Sequence, residues 1–236
     1  MKKSLIPLSI LTVLVLISCS KSYEASMASA TELIKSEQYE EALALYDNAV
    51  KKAETASQRI LANIEAGNLS SKHLRNMVKA DAYYQATIAD VGDYSANDLY
   101  DLIQQALVAQ ANQAAVNMYD LWLERYADHK NVITMKYELA EVYHKNLRNL
   151  RKAIETYTAI YTDYPDTEQG PKALFSIGYI YANELAENEP AIEYYSLFLE
   201  KYPDHEMAPS VEFELKYLGK SLEEIPELQH LLQKTS

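Results

Sequence analysis

The sequence predicts an all-α solenoid, a row of stacked helical hairpins, and two observations carry that prediction. The first is a period. The segment AIETYTAIYTDYP at Ala153–Pro165 recurs 38 residues later as AIEYYSLFLEKYP at Ala191–Pro203. In the other direction the pattern stands at Ala115–Tyr126 as AVNMYDLWLERY, and its Ala-x-x-x-Tyr pair persists at Ala80/Tyr84 and Ala42/Tyr46. The anchor alanines Ala42, Ala80, Ala115, Ala153 and Ala191 follow one another at intervals of 38, 35, 38 and 38 residues. Self-similarity of this length means stacked supersecondary units, each burying its apolar face against its neighbours. The second observation is the spacing inside a unit. Alanine and tyrosine four apart share one face of a helix, and Ala191, Tyr195, Phe198, Leu199 and Tyr202 extend that stripe.

Each element then has its reason. The Tyr-Pro-Asp after the stripe stops the helix, because a residue before proline avoids helical angles. A first helix lies upstream of each anchor, with a small residue 12 or 13 positions before it at Ala30, Gly67, Ala140 and Gly178. Tyr143 and Tyr181 follow two of these by three residues. Small residues let the two antiparallel helices cross closely. No matching small residue stands near Ile103, where the interval is 35, so the third boundary is open.

This pattern of small residue, tyrosine, alanine, aromatic and proline resembles the tetratricopeptide repeat. It is carried by Gly178, Tyr181, Ala191, Tyr195 and Pro203, and again by Ala140, Tyr143, Ala153, Tyr157 and Pro165. The resemblance covers about Ser26 to Gly219. It implies a right-handed superhelical solenoid of about five hairpins with C-terminal capping helices. The expected organisation is a leader over 1–18, a tether over 19–25, the repeats over 26–219, and a cap and tail over 220–236.

In chain order, Ser57 is expected to cap the first helix of the second repeat. Gly92-Asp93 breaks the chain before a third pair over Asp98–Ala109 and Ala114–Tyr126. A fourth pair covers Asn131–Lys145 and Leu150–Asp163. Pro171 suits the first turn of the next helix, which runs to about Leu185, and Pro190 starts its partner. Pro209 opens a sixth helix ending at Gly219. Ser221 with Glu224 then looks like the capped start of a last helix carrying Leu228, Leu231 and Leu232. Its expected role is to cover the open face of the stack.

The chain start points to export. Met1-Lys2-Lys3 precedes a 13-residue apolar run from Leu5 to Ile17, too short for a spanning helix of about 20 residues. Cys19 is the only cysteine, so no internal disulfide forms and the thiol needs another role. Leu16-Ile17-Ser18-Cys19 resembles the bacterial lipobox. The resemblance implies that Cys19 becomes the mature N-terminus and carries acyl chains, two or more of which give stable anchoring. Ser20 resembles the outer-membrane sorting pattern. The expected location is the bacterial outer membrane, facing the periplasm.

The formal charge is −12, and −14 once Lys2 and Lys3 leave with the leader. An acidic chain without a basic stripe argues against nucleic acid, whose affinity comes from neutralised phosphates. No catalytic motif is present. No histidine pair has zinc spacing, and His129 and His205 stand at matching places two periods apart. The expectation is no enzyme, no cofactor and no metal site.

The expected partners are proteins. In the resembling family the first helix of each repeat lines an inner groove. On those helices the candidate groove residues are Lys72, Tyr137, Glu141, Lys145, Phe175, Tyr179 and Asn183. Lys35, Lys72 and Lys145 hold equivalent places and form a lysine row suited to acidic groups, although lysine near a helix C-terminus also complements the helix dipole. The function expected is a lipid-anchored scaffold, resembling the lipoprotein component of the β-barrel assembly machinery. The alternatives are the Tol–Pal-associated periplasmic protein of envelope constriction, and a peptide- or glycan-binding lipoprotein.

Overall fold

A computed structural model describes residues 22–220 and 224–225. The leader, Cys19 and the segment with Leu228, Leu231 and Leu232 lie outside the described residues. The rest forms two compact units, one up to Tyr126 and one from Ala127.

The first unit holds three hairpins: α1 (Tyr23–Lys35) with α2 (Tyr39–Lys52), α3 (Ala56–Lys72) with α4 (Met77–Thr87), and α5 (Ala96–Val108) with α6 (Asn112–Arg125). The second holds α7 (Val132–Glu141) with α8 (Leu150–Asp163), α9 (Gln169–Tyr179) with α10 (Asn188–Lys201), and then α11 (Ala208–Tyr217). Helices α7 and α9 each end in a widened turn, over Val142–Asn146 and Ile180–Leu185.

Several helix starts differ from the sequence expectation, and side-chain caps explain them. Helix α1 begins inside the stretch expected as tether, because Ser22 Oγ accepts the Ala25 N–H at 3.1 Å. Ser57 is not the cap of α3. Thr55 is, in a reciprocal box where Thr55 Oγ1 accepts the Gln58 N–H and Gln58 Oε1 accepts the Thr55 N–H, both at 3.2 Å. Ser95 and Asp98 repeat that device at α5, which therefore starts before Asp98. Asn76 and Asn149 cap α4 and α8.

The hairpin turns share one backbone feature. Glu37, Arg75, Gln110, Arg148 and Ala186 all have positive φ, between 51° and 58°. Each lies five residues before an anchor alanine, so their intervals repeat 38, 35, 38 and 38. A left-handed residue after a helix turns the chain back and satisfies its last carbonyls. In the first and third hairpins the closing bond spans five residues, Gln38 N–H to Leu33 C=O and Ala111 N–H to Ala106 C=O. In the others it spans six, as from Asn76 to Ser70, Asn149 to Tyr143 and Glu187 to Tyr181. This extra residue accounts for the 12- or 13-residue offset of the small crossing residues. It places the third crossing at Ile103, which is fully buried.

The core follows the period. Tyr46, Tyr84, Tyr119, Tyr157 and Tyr195 are all at most 2 % exposed, and their anchor alanines are fully buried. A Cβ on Gly67 would meet the Tyr84 ring at 2.8 Å, and one on Gly178 would meet the Tyr195 ring at 2.7 Å. The glycines are therefore needed for close helix approach. Between the second and third hairpins α4 packs on α6, tied by the Ala114 N–H to Asp81 at 2.9 Å and by Asn117 to Gln85 at 2.6 Å.

Candidate functional site

The sequence-predicted groove residues fall in both units, and each unit is described by itself. In the second unit Tyr137, Glu141 and Lys145 lie on α7 and its last turn, and Phe175, Tyr179 and Asn183 on α9 and its last turn. Adjacent repeats thus bring these six residues onto neighbouring helices. Tyr179 is the most open aromatic, 38 % exposed, with its ring 6.3 Å from Phe175. Asn183 is exposed and donates to the Tyr179 carbonyl at 3.4 Å.

Tyr137 and Phe175 are not free groove aromatics. Tyr137 is half-buried, 5.4 Å from the Tyr157 ring, with its hydroxyl 3.4 Å from Ser176 Oγ. Burial pushes its phenol upward, and the Ser176 hydrogen bond opposes the shift. Phe175 packs 5.9 Å from Tyr195 at the edge of the second unit's core. Both rings therefore serve packing as well as lining.

The lysines of the row differ in their surroundings. Lys35 pairs with Glu32 at 2.7 Å, and Lys145 pairs with Glu141 one turn earlier on the same helix. Those ammonium groups are matched locally. Lys72 is exposed and makes no ion pair among the described residues. It lines a cleft of about 730 Å³ within the first unit, with Ile34, Glu65, Asn68, Arg75 and Val108.

Sequence reasoning missed a group in the second unit. His144, 6 % exposed, contacts the carboxylate of Glu184, whose other oxygen lies 2.6 Å from Arg148 Nη2. His144 Nδ1 has no hydrogen-bond partner among the described residues. The three residues join the ends of adjacent first helices. His144 and Glu184 stand 40 residues apart, two off the repeat period, so the anchor pattern does not align them. His129 and His205, by contrast, do the same local work: each Nδ1 accepts the backbone N–H two residues on, at 3.2 and 3.1 Å.

Among the described residues no group of three or more His, Cys, Asp or Glu side chains is placed to hold a metal. No described helix is long and apolar enough to cross a membrane.

The family model described as tetratricopeptide repeat matches residues 135–167 and 172–205, the two hairpins of the second unit. No curated protein matches the chain. Among solved structures, the chain is 18 % identical to YrrB, described as a TPR protein with an unusual peptide-binding site, over 85 % of this chain and 96 % of that one, with a TM-score of 0.42. It is 12 % identical to a tetratricopeptide repeat protein from Parabacteroides merdae, over 83 % and 72 %, with a TM-score of 0.40. It is 18 % identical to MamA, over 74 % and 94 %, with a TM-score of 0.40. The matched segment and the five equivalent hairpin turns together make the fold an all-α array of hairpins of the tetratricopeptide type.

Proposed function

We propose that this chain is a protein-binding scaffold held by a lipid on Cys19 at the periplasmic face of a bacterial outer membrane, serving outer-membrane protein assembly. The observation that carries the binding half is Tyr179. It is a large ring on a first helix, left 38 % exposed beside half-buried Phe175 and open Asn183. Aromatic side chains of this kind supply contact area at low entropic cost and recur as binding anchors. The anchoring half rests on the basic start, the short apolar run and the unique cysteine after Leu-Ile-Ser.

One experiment addresses both halves: affinity purification from detergent-solubilised envelopes, with the parent chain, Tyr179→Ala and Cys19→Ala. The parent chain is expected to recover barrel-assembly subunits. Tyr179→Ala is expected to lose them while keeping its helical content, and Cys19→Ala to leave the membrane fraction. Recovery of Tol–Pal components instead would favour the constriction role, and a bound small ligand would favour the third alternative. Full recovery by Tyr179→Ala would move the binding face elsewhere.

A further inference from the structure

The first unit's cleft carries a charge arrangement that the lysine row did not anticipate. Its wall on α3 presents Glu65, Asn68 and Lys72, three and four residues apart and so on one helix face. Glu65 is half-buried and makes no ion pair or hydrogen bond among the described residues. Burial pushes its carboxyl upward, and its charge reaches the phenols of Tyr23, Tyr46 and Tyr84. The Tyr23 hydroxyl is buried and likewise without a partner. Asn68 is held from behind, its Oδ1 accepting the Tyr84 hydroxyl at 2.8 Å, which leaves its amide N–H groups as donors. The basic residues of the cleft, Lys72, His73 and Arg75, all lie at its far end, beyond the helix C-terminus or in its last turn.

An unpaired, partly desolvated carboxylate costs free energy that a cationic group recovers, and a hydrogen bond to a charged group is among the stronger ones. We propose that this cleft takes an extended protein segment by a lysine or arginine side chain seated on Glu65, with an acidic side chain of the same segment on Lys72. The inference rests on the protein-binding reading above and specifies its partner. Spacing follows from the helix. Seven residues separate Glu65 from Lys72, a rise of about 10.5 Å. An extended chain advances about 3.4 Å per residue, so the basic and acidic residues stand about three positions apart. The partner is thus of mixed charge, not the purely acidic one that a lysine row implies.

The test is a random peptide library panned on the full chain, followed by fluorescence anisotropy with the selected peptide. The expected peptide carries Lys or Arg and an acid about three positions away. Glu65→Gln, nearly isosteric and relieved of a buried charge, should keep or raise the melting temperature yet weaken that peptide at least tenfold. Replacing the peptide's basic residue by Gln should weaken the parent chain equally and leave Glu65→Gln unaffected. Lys72→Glu should weaken binding more at low salt than at high salt. Selected peptides that lack a basic residue, or equal affinity for the parent chain and Glu65→Gln, overturn the inference while the scaffold reading stands. If no peptide is selected and envelope purification recovers no protein, the scaffold reading fails and takes this inference with it.

Discussion

The two compact units build the same hairpin with different sequence. In the second unit both hairpins keep the 38-residue period, the small-x-x-Tyr pair and the Tyr-Pro loop, and the family model matches there. In the first unit the Tyr-Pro loop is missing, the interval falls to 35, and helix starts rely on side-chain boxes at Thr55/Gln58 and Ser95/Asp98. Yet the left-handed turn residue and the buried Ala–Tyr pair occur in all five hairpins. What the fold requires thus differs from what merely marks it in sequence. The crossing and the turn are requirements. The loop motif is one of several ways to end a helix.

Truncating equivalent tyrosines removes the shared crossing from either unit. Tyr84→Ala in the first unit and Tyr195→Ala in the second should each destabilise by about 3–5 kcal/mol, as for other buried large aromatics. Both residues are fully buried against a glycine. Chemical denaturation that gave less than about 1 kcal/mol at Tyr84 alone would mean that the first unit does not depend on its crossing as the second does.

How far the sequence reached follows the same division. The Ala–Tyr pairs and the glycine crossings were legible because they recur at a fixed period with helical spacing inside it. The left-handed turns were not. Five different contexts and four residue types occupy them, none of them glycine, so no residue signal marked a conformation that only position reveals. The third crossing was obscured because Ile103 replaces the small residue and the turn is one residue shorter. In the candidate site, spacing put Tyr137, Phe175 and Tyr179 on first helices, as observed, but could not tell lining from packing. Spacing aligned Lys35, Lys72 and Lys145 but could not show that Glu32 and Glu141 sit one turn from Lys35 and Lys145 and pair with them locally. Glu65 drew no notice because burial, not motif, makes it unusual.

A finer contrast between the units lies in the tyrosine hydroxyls. Tyr84 donates to Asn68 at 2.8 Å, whereas the Tyr195 hydroxyl is buried without a partner among the described residues. Burial pushes both phenols upward, Tyr84 to about 12. Removing a satisfied hydroxyl loses a hydrogen bond and leaves Asn68 short of a donor, but removing an unsatisfied one relieves a desolvation cost. Tyr84→Phe should therefore cost about 1 kcal/mol, and Tyr195→Phe should be neutral or stabilise by a similar amount. Opposite signs are expected in paired denaturation curves, because only the Tyr84 hydroxyl has a hydrogen bond to lose. Equal losses would mean that the Tyr195 hydroxyl has a partner in solution.

The smallest effect tests the feature that all five hairpins share. A non-glycine residue held left-handed costs about 1–2 kcal/mol, and glycine escapes that cost but loses more entropy on folding. The net gain expected for Ala186→Gly is about 0.5–1 kcal/mol. Ala186 is the cleanest site, since its side chain is exposed and too small to do other work. Arg148 holds the equivalent turn one repeat earlier but also lies 2.6 Å from the Glu184 carboxylate, which is 10 % exposed and contacts buried His144. Arg148→Gly gains the same backbone relief and gives up that contact, so it should fall short of Ala186→Gly and can end below the parent chain. Thermal melts of the two variants side by side check this. If both gain equally, the Arg148–Glu184 pair contributes nothing to the second unit. If Ala186→Gly gains nothing, the left-handed turn is not strained there, and the shared φ reflects the turn's geometry without a stored cost.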